Sequence, residues 1–156
     1  MIGIFIGIFY LFVNIDIAVR TASAILVGVV GIISFFRHSI YYKSDQLRIG
    51  WRQEHPEFQL EVGYANLAIG IWALACAVLD WGTFACGLTL AIYGTYLLCT
   101  LFLHAYEAFG HNDLHHKEMR ERAKRSTIST LIFVIVLFGF AFAAFARAGM
   151  IPFFTL

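Results

Sequence analysis

The sequence predicts an all-α polytopic membrane helical bundle of four to five transmembrane helices, and three observations carry that prediction. Of 156 residues, 60% are hydrophobic, 17% aromatic and only 13% charged, whereas a soluble domain carries about a quarter charged residues to cover its surface. Residues 62–79, 81–103 and 126–146 contain no Asp, Glu, Lys or Arg, and each run is close to the ~20 residues that span a bilayer. Two shorter charge-free runs, 1–15 and 21–36, are separated by Asp16 and Arg20. Residues 1–156 read as a single integral membrane domain.

Five helices follow in order. Helix A, 2–19, is a first span, with a shallow interfacial helix as the alternative; "TASA" after an apolar run resembles a signal-peptide end, but no Lys or Arg precedes that run. A turn near Arg20 leads into helix B, 22–42, whose Tyr41-Tyr42 end suits the headgroup belt, as does Trp51 beyond it. After a loop at 43–55, helix C, 56–80, opens on Pro56, a residue well placed in a first turn. A tight turn at Trp81-Gly82 makes helix D, 83–112, its antiparallel neighbour. Helix E, 127–148, follows a polar segment. Gly28 and Gly31 on B, with Gly70 on C and Gly87 on D, are spots where helix backbones can approach closely. Cys76, Cys86 and Cys99 lie within apolar runs and form no C-x-x-C pair, so they read as small buried hydrophobes rather than a disulfide.

Charge sorts by side. Arg37, Lys43, Arg48 and Arg52 lie between B and C, and Lys117, Arg120, Arg122, Lys124 and Arg125 between D and E; only Arg20 and Arg147 are left for the other face. The positive-inside rule therefore makes the B–C and D–E loops cytoplasmic. "KEMRERAKR" serves as topogenic charge, and binding of anionic lipid heads is the alternative. A net charge of +1 provides no field for nucleic acid, so the partners expected are the lipid bilayer and either further copies of the chain or a larger membrane complex.

The chemistry concentrates in "HAYEAFGHNDLHH", residues 104–116. Glu61 lies 21 positions before Gly82 and His104 22 after it. At a rise of ~1.5 Å per residue both sit roughly 30 Å from the turn, one hydrocarbon thickness away. On an extended helix D, His104, Glu107, His111 and His115 share one face, and Glu57 and Glu61 share one on C, with Glu54 in the loop before it. Glu57, Glu61, His104, Glu107 and His111, with His115 as a further candidate, match the carboxylate and imidazole donors of bundle metal sites. Such a set suits iron, manganese or zinc, and histidines alone suit copper. Haem held by His38 and His104 comes last. The competing reading is a structural polar cluster at a wet helix end. "HNDLHH" is similar to one histidine box of membrane fatty-acid hydroxylases, which use several such boxes.

Residues 44–70, "SDQLRIGWRQEHPEFQLEVGYANLAIG", resemble an uncharacterised family of small bacterial multi-pass membrane proteins. That pattern has an acidic residue, I-G-W, P-x-F-Q and then E-V-[GA]-[FY]-A-N-L-[AS]-x-G. Asp45, Ile49-Gly50-Trp51, Pro56, Phe58-Gln59, Glu61 to Leu67 and Gly70 fit it. The resemblance implies a small helical protein of the bacterial inner membrane, emphasises Glu61, Asn66 and His104, and implies no activity. Beyond His104 the family continues with an N-x-A-P-G-N-like stretch, so Glu107, His111, His115 and His116 belong to this chain rather than to the resemblance. Asn66 lies inside the membrane, where its amide is expected to bond a neighbouring helix.

Three function classes remain. A metal-dependent membrane enzyme would use the His/Glu cluster. A structural or accessory subunit, or an oligomeric scaffold, would use aromatic and glycine-rich faces of B and E. A small transporter comes third, because the charged groups lie at span boundaries rather than at mid-depth.

Overall fold

The computed structural model describes residues 13–49, 56–110 and 117–151. They form helices α1 (Ile15–Ile40), α2 (Tyr42–Ile49), α3 (Glu57–Val78), α4 (Thr83–Gly110) and α5 (Lys117–Arg147), and no strand occurs among the described residues. Four stretches are long and apolar enough to cross a membrane: Ile15–Ile40, Glu57–Val78, Thr83–Tyr106 and Lys124–Arg147. The outward faces of these helices are apolar; Ile33, Phe102 and Ile135 are each more than half exposed. Water would penalise so continuous an apolar surface, and hydrocarbon does not. The chain is thus an all-α membrane bundle with four spans among its described residues.

The expected turn near Arg20 is absent, because α1 runs unbroken from Ile15 past Arg20 to Ile40. No Gly or Pro interrupts residues 15–27, and the two charges that separated helices A and B are instead partnered at helix ends. Residues 1–12 of the expected helix A lie outside the described residues. The helix also widens to π-winding over Ser23–Val29 and again over Phe36–Ile40. Such winding is rare and concentrates at functional positions. Part of the expected 43–55 loop is the short helix α2, and α5 begins ten residues before the expected start of helix E.

Adjacent spans alternate in direction, so Asn14, the turn at 79–82 and Arg147 share one end of the bundle, here the turn end. The other is the loop end. At the turn end, polar groups fasten all four spans. Asn14 caps α1, its Oδ1 accepting from the backbone N–H groups of Asp16 and Ile17 at 2.9 and 3.1 Å. Asp16 in turn accepts from Thr83 Oγ1 at 2.5 Å and from Arg147 Nη2 at 3.3 Å, tying α1 to α4 and α5. The Nε of Arg20 donates to the carbonyl of Ala77 at 2.5 Å, and its Nη1 lies 3.0 Å from the Asp80 carboxylate. The Ala77 carbonyl is among the last of α3, where a cation also complements the helix dipole. Asp80 takes the left-handed conformation (φ 54°), and the Trp81 N–H reaches back to the carbonyl of Cys76, closing α3 in a Schellman-type turn. Arg20→Met should therefore lower stability by about 1 kcal/mol, read as a lower unfolding midpoint of the purified protein in detergent.

Packing divides the spans into two intimate pairs, α1 with α3 and α4 with α5. The first half of α1 also touches α4 and α5, and a core of Val19, Leu26, Val27, Leu90, Leu137 and Ala144 fills that region. From Val30 onward α1 packs chiefly on α3. The expected C–D hairpin exists, but its two helices contact each other less than each contacts its own partner. Between α1 and α3 the backbones touch: a Cβ on Gly31 would lie 2.7 Å from the Asn66 carbonyl oxygen and 3.0 Å from the Gly70 Cα. Gly28 and Gly87 are equally tight, against Leu74 and Ala144.

Candidate functional site

Of the residues expected to hold a metal, Glu57 and Glu61 sit on the first turns of α3 with exposed side chains, and His104 is half-buried near the end of α4. No three His, Cys, Asp or Glu side chains gather closely enough to hold a metal among the described residues. The side chain of Glu107, together with Glu54, His111, His115 and His116, lies outside them. Past the level of Asn66, α3 follows α1 and α4 follows α5.

The structure instead gathers polar groups around Asp45. This carboxylate, 3% exposed, is carried on α2 and folded back against the end of α1 and the start of α3. Arg37 Nε donates to Oδ1 at 2.6 Å. His38 Nδ1 lies 2.9 Å from Oδ2, and Gln59 Nε2 donates to the same oxygen at 3.2 Å. Because an ionised carboxylate only accepts, His38 carries its proton on Nδ1 and turns Nε2 away from Asp45. Arg37 is 44% exposed in its side chain while Asp45 is sealed, so the pair bridges the bundle interior and its surface. Gln59 is also buried, and its Oε1 has no partner among the described residues. Next to this group Ser39 donates to the carbonyl of Leu60 at 3.4 Å, with Gly63 leaving space for its hydroxyl.

A second group lies deeper. Asn66 on α3 donates from Nδ2 to the Val62 carbonyl at 2.8 Å and to Tyr96 Oη at 3.0 Å, while its Oδ1 accepts from Tyr93 Oη at 3.1 Å. The Tyr93 and Tyr96 rings stack at 6.0 Å. The interhelical bond expected of Asn66 is therefore present, and it links the α1–α3 pair to α4. Nearer the turn end, Ser23 and Thr89 hydroxyls meet at 2.8 Å, and Ser23 donates to the Ala73 carbonyl at 3.3 Å. Cys76 and Cys86 are buried free thiols, as their apolar settings suggested; Cys99 is free too, but exposed. Asn66→Ala removes three hydrogen bonds at once. It should destabilise the protein by about 1–2 kcal/mol, measured by chemical unfolding in micelles.

The sequence pattern pointed to some of these residues but not to their grouping. Asp45, Gln59 and Asn66 all belong to the 44–70 stretch, and each is a buried polar side chain. His38 drew notice only as a remote haem ligand, because pairing it with Asp45 required the chain to reverse at Tyr41, where helix B was expected to continue. Arg37 was counted only as topogenic charge.

Comparison with known proteins returns no curated protein and no solved structure that matches the chain. A family model does match, covering residues 12–149 and so all four spans and both polar groups, and the chain belongs to this family of unknown function, DUF6790.

Proposed function

We propose that the chain is a small inner-membrane module acting through its helix surfaces, as an accessory subunit of a larger complex or as a scaffold of several copies, with the 41–56 and 107–123 segments facing the cytoplasm. The observation that carries this reading is how the buried polar groups are used. Asp45, a carboxylate only 3% exposed, is engaged by Arg37, His38 and Gln59, and Asn66, Ser23 and Thr89 are bonded between helices. Such groups specify how helices pack. A contact face is offered by α5, where Ile128, Ile132 and Ile135 form an exposed stripe at helical spacing and a Cβ on Gly139 would meet nothing within 4 Å among the described residues. A neighbouring helix could approach closely there. The orientation follows from the nine basic residues in these two segments and at the span ends beside them, Arg37, Lys124 and Arg125 included.

The test is gentle purification from membranes, with crosslinking from a cysteine placed at Ile135. A constant partner or a defined oligomer crosslinked through α5 supports the reading. A monomer holding stoichiometric iron, zinc, manganese or copper, lost on His104→Ala, overturns it in favour of a metal site built from Glu57, Glu61, His104, Glu107 and His111, with or without His115.

A further inference from the structure

Hydrogen-bond accounting around Asn66 leaves one proton over. The Val62 carbonyl can only accept, so the amide nitrogen must be the atom 2.8 Å from it, which fixes the orientation of the side chain. With that orientation set, Oδ1 faces Tyr93, whose hydroxyl must donate. The second amide proton goes to Tyr96, whose oxygen therefore accepts. The hydroxyl proton of Tyr96 meets no acceptor among the described residues. Because the bonds run in one direction, each polarises the next and strengthens the last donor.

Depth decides what could accept that proton. Tyr96 is 13 residues from Thr83 and 10 from Tyr106, the ends of its span, so at ~1.5 Å per residue it lies roughly 20 and 15 Å inside. The ester carbonyls and charged heads of phospholipids and fatty acids stay at the boundary. An acceptor at this level must be uncharged and soluble in hydrocarbon. Tyr96 is only partly buried, and its ring stacks with that of Tyr93, which offers a flat partner to another ring. We propose that Tyr96 is the recognition point of a site for a lipid-soluble cyclic diketone of the quinone class, one carbonyl oxygen of which accepts its proton.

This site is independent of the scaffold reading, since it needs neither a partner nor a second copy. The probe is a decyl-substituted benzoquinone added to the purified full chain in micelles, with decylbenzene as the control lacking carbonyls. Binding is measured by calorimetry, and the carbonyl stretch of ¹³C-labelled quinone by infrared difference spectroscopy. The wild-type protein should bind the quinone at least about tenfold more tightly than decylbenzene, with one carbonyl band moved to lower wavenumber. Tyr96→Phe should weaken quinone binding about tenfold and abolish the moved band. The fold of that variant is checked by its helical signal and unfolding midpoint, because Asn66 keeps its bonds to Val62 and Tyr93. Equal binding of quinone and decylbenzene by the wild type, or an unmoved carbonyl band, overturns the proposal without touching the scaffold reading.

Discussion

Asp45→Ala is expected to cost the fold about 2–3 kcal/mol, the penalty of leaving buried donors unsatisfied beside a cation that can still reach the surface. The loss would appear as a large fall in the unfolding midpoint in micelles and reduced accumulation in the membrane. The size follows from what stays behind. Arg37 Nε, His38 Nδ1 and Gln59 Nε2 all point at the missing carboxylate, and Gln59 would then have neither end satisfied, since its Oε1 already lacks a partner among the described residues. Asp45→Asn should cost less, because its carbonyl oxygen can still accept from Arg37 while the charge is lost. Replacing the pair together, Asp45→Leu with Arg37→Met, should recover part of the loss, since burial of apolar groups of similar volume offsets the desolvation avoided. Equal stability of Asp45→Ala and the wild type would show that the group is not held as described.

Gly70→Val should have the second large effect. A Cβ there would lie 3.0 Å from the Gly28 carbonyl oxygen and 3.2 Å from the Ile32 nitrogen, and these are backbone atoms that cannot rotate aside. The α1–α3 pair must separate, at a cost of about 1–3 kcal/mol for the overpacking itself. Separation would also lengthen the Ser23–Ala73 hydrogen bond. A thermal unfolding series should rank Gly70→Val well below Gly70→Ala, and both well below Gly139→Ala, whose Cβ meets nothing.

The membrane class and most span boundaries were legible in the sequence, because twenty-residue runs without charge have one stable use in a bilayer. Thr83 to Gly110 matches the expected helix D closely, and the Trp81-Gly82 reversal is present. The close-approach glycines were legible for the same reason: few other residue types allow two backbones to touch. What could not be read was partnership. Asp16 and Arg20 looked like a break between two short helices, yet Thr83, Arg147, Asp80 and the Ala77 carbonyl neutralise them within one long helix. Those partners are 57 to 131 residues away, beyond any local pattern. Which helices pair laterally is likewise beyond helical periodicity, since it is decided by contacts such as Gly31 on Gly70 and Gly87 on Ala144.

Fastening all four spans at one end has a mechanical consequence. Asp16, Arg20, Asp80, Thr83 and Arg147 would then act as a pivot, and the two helix pairs, bridged at mid-depth through Asn66, as short arms whose tips lie in the opposite leaflet. Thermal breathing and lateral pressure then act mainly on that leaflet. Amide exchange should accordingly be slowest around residues 16–27 and 76–93 and quicken toward the tips, and lipids that thin or crowd one side of the bilayer should alter the gape while leaving the pivot intact.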